Sequence, residues 1–176
     1  EKDPVVYPNF AQQYTTETLY NNSLIVECGE RSRYLSYYDI YVTDYSSYYT
    51  DGTASTQFDG ESQLTSAVDY VTNEDLPVVY TLTGHGESSL SDSFTSAVKQ
   101  QNVETAELSL LTMESIPADA DCILINAPQS DISLDEQSKL REYLGNGGNL
   151  FLITDPPKNE KLSNLEALMA DYGVST

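Results

Sequence analysis

The only histidine of the chain, His85, stands between Gly84 and Gly86 in "TGHGE", with Glu87 two residues further on. An imidazole beside a carboxylate is the pairing that general acid–base chemistry uses: the carboxylate orients the ring and the ring moves the proton. Asp155, in "TDPPKNE", offers a second carboxylate, and Gln129, after Pro128 in "NAPQSD", offers an orienting amide. Glycines at such a turn allow positive φ or close approach of the backbone to a ligand. The candidate set is therefore Gly84, His85, Gly86, Glu87, Pro128, Gln129 and Asp155. It admits three uses: a ligand- or partner-binding rim, an acid–base centre with His85 supported by Glu87 or Asp155, or a tight turn in which His85 bonds a neighbouring loop. In the binding use, His85→Ala and Glu87→Ala are expected to leave folding nearly intact while weakening the contact.

Other chemistries fit the residues less well. One histidine with Glu87 and Asp155 lacks the H-x-x-x-H or cysteine partners of a zinc site, so no metal is expected. There is no G-x-S-x-G or G-x-C-x-G elbow for a nucleophile. "GHGE" lacks the third glycine and helix register of a dinucleotide fingerprint, so no cofactor is expected. Cys28 closes the run "SLIVECG" and Cys122 lies within "DCILINAP"; both are expected to be small buried residues. Two cysteines are too few for a disulfide scaffold.

The elements that must position the candidate set follow from periodicity. "VVYTL" (78–82) is a β-branched strand, "SLSDSFTSAVKQ" a helix on Leu90, Phe94, Ala97 and Val98, and "VETAELSLL" a second strand. "DCILINAP" and "NLFLIT" are apolar enough to be buried strands, covered on both faces. Ser133 and Glu136 form a capping box before a helix on Leu140, Tyr143 and Leu144 that "GNGG" ends; Ser163 and Glu166 repeat the pattern before the last helix. Residues 112–118 read either as a plain connection between two strands or as a short helical turn. Alternating strands and helices predict a doubly wound α/β unit with a mostly parallel sheet. Ligands of such sheets sit beyond the strand carboxyl ends, where "TGHGE", "NAPQSD" and "TDPPKNE" all lie.

The first 75 residues read differently. "YPNFAQQYTT" suits a short helix from Pro8, and "NSLIVECGERSRYLSYYDIYV" a β-hairpin over about 23–43. Residues 44–60 read as loop, and 61–72 as a helix capped by Asp59 with Leu64, Ala67, Val68 and Val71 on one face. A domain seam is expected near 73–77. The tyrosine-rich "DYSSYYTDG" lacks calcium-loop spacing but suits sugar or protein contacts, which leaves a calcium- or carbohydrate-binding surface as a further alternative.

Charge narrows the partners. With 28 acidic against 8 basic residues the chain carries a formal −20, which repels phosphate backbones and anionic lipid. Nucleic acid is excluded as a partner; cations or a basic protein are not. No run reaches the ~18 apolar residues of a membrane span, and the Ser-, Asn- and Tyr-rich surface suits an extracytoplasmic setting.

Taken together, "FDGESQLTSAVDYVT", "VVYTLTGHGE", "IPADADCILINAPQSDISLDEQSKLREYLGNGGNLFLITDP" and "NLEALMADYGV" resemble the GldG-like auxiliary proteins of gliding-motility-type ABC transporters. The resemblance is close over 58–174 and looser over 5–43. It implies a glutamine-amidotransferase-like (flavodoxin-like) α/β part, truncated at its carboxyl end, after a partial thioredoxin-like part without a C-x-x-C pair. It also implies an extracytoplasmic region of a membrane-anchored bacterial protein of the cell envelope. Flanking membrane segments would hold that region beside an ABC permease and ATPase. The function expected is a non-catalytic auxiliary module contacting a protein partner or envelope ligand. The alternative is an envelope-directed hydrolase or transferase acting on sugar or peptide through His85.

Overall fold

The computed structural model describes residues 3, 6–16, 19–155 and 161–174. The chain divides into two compact units, Glu1–Leu76 and Pro77–Thr176.

The first unit opens with a single helical turn, α1 (Pro8–Ala11), and an antiparallel hairpin, β1 (Leu24–Cys28) and β2 (Arg31–Leu35). The hairpin is shorter than the 23–43 expected. Ser36 and Asp39 exchange cap bonds, Ser36 N–H to Asp39 Oδ2 at 2.8 Å and Asp39 N–H to Ser36 Oγ at 3.3 Å. This capping box starts α2 (Tyr37–Ile40) and ends the second arm at Leu35. The chain then re-enters extended structure as β3 (Tyr41–Asp44), turns through α3 (Tyr48–Asp51), and pairs back as β4 (Ser55–Phe58). Residues 44–60 are thus not all loop: Tyr41 and Phe58 lie opposite each other in an antiparallel ladder.

Helix α4 (Gly60–Thr72) lies against β1 and β2. Its buried stripe is Gln63, Ala67 and Val71, while Leu64 and Val68 are exposed, so the helix is rotated from the face expected. Gln63 is tolerated inside because its amide donates to Asp59 Oδ2 at 2.8 Å. That bond also diverts Asp59, which makes no side-chain cap bond. Cys28 is exposed, contrary to expectation, because its strand ends at the hairpin turn.

The second unit is an α/β layer structure. Strands β5 (Val78–Leu82), β6 (Glu104–Leu108), β7 (Cys122–Asn126) and β8 (Asn149–Ile153) form one parallel sheet in the order β6-β5-β7-β8. Helices α5 (Asp92–Gln100), α6 (Leu134–Gly145) and α7 (Ser163–Ala170) complete it. One face of the sheet is packed: Leu82, Leu108, Ile123 and Ile125 meet Leu140 of α6 and Leu165 and Leu168 of α7.

The other face is less covered than expected. Helix α5 reaches β6 but buries none of its residues, and Leu124 is the strand residue most shielded there. In β8 only Leu150 and Leu152 turn inward, leaving Phe151 50% exposed. "NLFLIT" is therefore an edge strand with one open face. Cys122, beside it in β7, is half-buried.

One open choice is decided and one expectation changes. Residues 112–118 form turns and no helix; Lys139 Nζ holds this segment by donating to Leu110 O at 3.0 Å and Met113 O at 2.9 Å. Ser163 is the first residue of α7 and not its cap. Asp131, from the loop after β7, caps the helix in its place. Its Oδ2 accepts from Asn164 N–H at 2.7 Å and its Oδ1 from Leu165 N–H at 3.1 Å.

Candidate functional site

In this strand order the chain moves from β5 to one side for β6 and to the other for β7. The switch point therefore lies between the carboxyl ends of β5 and β7. The loops that leave those ends are tied together there. Ser88 N–H donates to Asn126 O at 2.8 Å, and Asn126 Nδ2 donates to Ser88 O at 2.7 Å. The His85 carbonyl accepts from Gln129 N–H at 2.8 Å and Ser130 N–H at 3.0 Å. Gly86 has φ +72°, and a Cβ there would stand 3.3 Å from Gln129 Cβ, so the close approach and the backbone both call for glycine.

His85 does not face outward. The residue is 4% exposed and its ring lies between two carboxylates. Nδ1 is 3.2 Å from Glu87 Oε1, and the His85 backbone N–H donates to Glu87 Oε2 at 2.8 Å. On the other side Nε2 bonds Glu136 Oε2 at 3.3 Å; Oε1 is 3.2 Å away but outside hydrogen-bond geometry, so that contact is purely ionic. Glu136 is itself held by the capping box: Oε2 accepts from Ser133 N–H at 2.8 Å, and Ser133 Oγ accepts from Glu136 N–H at 3.3 Å. One side chain thus starts α6 and anchors the loop after β5.

The electrostatics follow from this geometry. The hydrogen bond to Glu87, aided by the charge of Glu136, raises the His85 pKa above 6.5 against the opposing effect of burial. Burial pushes Glu87 and Glu136 upward, but bonds from the His85 ring and from backbone N–H groups outweigh it, leaving both below 4.5. Where His85 is protonated, the trio is an imidazolium between two carboxylates.

Of the sequence candidates, Gly84, His85, Gly86, Glu87, Pro128 and Gln129 belong to these two joined loops. Gly84 and Gly86 are exposed and Pro128 is buried. Gln129 Nε2 donates to Ala127 O at 3.0 Å, while its buried Oε1 has no partner among the described residues. Asp155 is exposed beyond β8, and residues 156–160 of its loop lie outside the described residues. Among the described residues no group of three or more His, Cys, Asp or Glu could hold a metal ion.

All of this geometry falls within the stretch that matches a known family. Residues 76–176, more than half of the chain, match the family model of an ABC-type uncharacterized transport system. The chain belongs to that family. It is an auxiliary component of an ABC-type transport system, associated through that system with transporter components and with a membrane. No helix among the described residues is long and apolar enough to cross one. No curated protein and no solved structure matches the chain.

Within this family member the sequence reading missed three rim residues. Glu136 is legible as a capping glutamate but not as the partner of His85. Leu111, beyond β6, is 63% exposed, and Leu134, the first residue of α6, is 70% exposed. Both are apolar side chains standing at the carboxyl edge of the sheet. A separate concavity of about 400 Å³ lies at the opposite edge, lined by Glu114, Asp121, Lys139, Glu142, Tyr143 and Asn146. No sequence candidate falls there.

The buried trio gives a pH dependence of defined sign. A histidine raised on folding contributes stability that is complete below its unfolded value of about 6.5 and is lost as pH rises through the folded value. Glutamates lowered on folding contribute stability that is complete above about 4.5 and is lost as pH falls. Stability of the second unit is therefore expected to be greatest from about pH 4.5 to 6.5 and to decline on both sides. Just above pH 6.5 the alkaline limb comes from His85, the only histidine, while Cys122, Tyr80 and Tyr143, also raised, add to it only above about pH 9. Amide hydrogen exchange of β7 against pH, with NMR titration of the single imidazole, checks this. A His85 midpoint below 6.5 would refute it.

Proposed function

We propose that the chain is a non-catalytic, extracytoplasmic binding module of its ABC-type complex. It contacts the permease subunit, or an envelope protein or glycan, through the carboxyl edge of the α/β sheet. The observation that carries this reading is the burial of His85 between Glu87 and Glu136, with both ring nitrogens engaged. A general base needs a free lone pair within reach of its substrate, and this imidazole offers neither. The same contacts stiffen two loops into a preformed rim, which suits binding with little ordering entropy. Exposed Leu111 and Leu134 supply apolar contact points on that rim. The glutamine-amidotransferase-like and thioredoxin-like relationships of the two units, and the envelope location, belong to the same proposal and rest on the resemblance of the sequence.

The test is retention of the chain by the detergent-solubilised transporter complex of the same cell. Leu111→Arg with Leu134→Arg is expected to weaken retention about tenfold or more while leaving the thermal midpoint unchanged, since both residues are exposed. Equal retention of the double variant would remove the rim from the proposal. Failure of the unaltered chain to be retained would remove the partner.

A further inference from the structure

The first unit keeps an unusual number of aromatic rings in water. Tyr38 is 61% exposed, Tyr48 55%, Tyr49 95% and Phe58 67%. These rings are not scattered. Tyr20 meets Tyr38 edge-on at 4.9 Å, Tyr37 bridges Tyr38 at 5.5 Å and stacks on Tyr41 at 4.8 Å, and Tyr41 touches Phe58 at 5.4 Å. Tyr45, Tyr48 and Tyr49 form a second run. The ribbon β3–β4 that carries much of this face is exposed at every residue except the half-buried Asp44. A two-stranded ribbon with no covered side is marginal by itself, and contiguous exposed apolar rings mark interaction surfaces.

Charge selects the occupant. From Tyr34 to Leu76 there are eight carboxylates and no lysine or arginine. Asp44 and Asp51 sit in the turns among the tyrosines, where Ser46 N–H donates to Asp44 at 2.8 Å and Thr53 N–H to Asp51 at 2.9 Å. Those bonds hold both carboxylates charged and turned into their own loops. They are a diffuse negative field behind π faces and not a converging oxygen cage for calcium. A neutral sugar would stack on the rings but leave the field without a counterpart. A guanidinium uses both, by stacking on tyrosine faces and pairing with carboxylates. The unit already makes this contact internally: Arg31 and Arg33 lie over the Tyr70 ring at 4.4 and 4.6 Å from its centre.

We infer that the tyrosine face from Tyr37 to Phe58 is a docking surface for a basic, arginine-bearing segment of a partner protein. It is independent of the rim on the second unit, so either assignment can fail without the other.

Fluorescence anisotropy with a labelled Arg-Gly repeat peptide tests it, alongside Lys-Gly and Gln-Gly repeats of equal length. The arginine peptide is expected to bind most tightly. Tyr38→Ser, Tyr48→Ser and Tyr49→Ser together leave the net charge unchanged and are expected to weaken binding about tenfold. Because a chain of formal charge −20 attracts any polycation, undiminished affinity in that variant would overturn the inference and reduce the binding to diffuse attraction. Lysine peptide bound as tightly as arginine peptide would overturn it equally, as would binding of a neutral glycan in preference to either. Should the triple variant lose its circular-dichroism signal, Tyr49→Ser alone is the test, because a side chain 95% exposed has no folding role to lose. Two- to threefold weakening is then expected, and no change would be decisive against the surface.

Discussion

His85→Ala is expected to destabilise the second unit by about 3 kcal/mol or more. The substitution leaves Glu87 and Glu136 with side chains only 7% and 2% exposed and no positive charge between them. Their carboxylates must then take up protons at neutral pH, or the loop after β5 must open to water; either way the folded state loses the free energy that the pairing supplied. The sequence alone predicts that His85→Ala and Glu87→Ala leave folding nearly intact, and the burial of the trio reverses that expectation. Native-state hydrogen exchange at Ile123–Ile125, near pH 6 where the pairing is complete, gives the number. Adding Glu136→Gln to His85→Ala should restore part of the loss, because removing both partners of a buried pair is less harmful than removing one. A loss under about 1 kcal/mol for His85→Ala, with no recovery in the double variant, would mean that the trio is solvated and not a staple.

Leu140→Ala is the second large effect, expected to cost about 2–5 kcal/mol. Leu140 is fully buried and lies one turn after Glu136 on α6, in the core shared with β7 and α7. Alanine favours the helix, so the loss reports packing alone: removed apolar contact plus the cavity left behind. Leu134→Ala, in the same helix but 70% exposed, is the control and should stay within about 0.5 kcal/mol. Urea unfolding followed by far-ultraviolet circular dichroism compares the two. Similar midpoints for both would show that α6 does not carry the core.

What the sequence revealed, and what it hid, divides along a physical line. Strands β5, β7 and β8 and helix α6 were legible because each is announced within its own few residues, by β-branched runs or by the Ser133–Glu136 spacing. The pairing of Glu136 with His85 was not, because it spans 51 residues and exists only when β5 and β7 are neighbours, which strand order decides and local pattern does not. Ser163–Glu166 shows the converse. It has the same spacing as a capping box, yet Asp131 supplies the cap from 33 residues away and the local motif goes unused. "NLFLIT" hid its edge position because an apolar strand has the same composition whether one face or both are covered. Ser36–Asp39 is a real capping box that cut an apparent strand, concealed by tyrosines that favour extended structure on either side.

Asp131 also sets how the rim can move. Its two oxygens hold the first turn of α7, while Ile132 behind it is buried and Ser133 opens α6. A visitor that levered this loop aside would strip two helices of their leading contacts at once. The edge of the sheet is accordingly suited to guests that match its shape on arrival, and poorly suited to any that must first remould it.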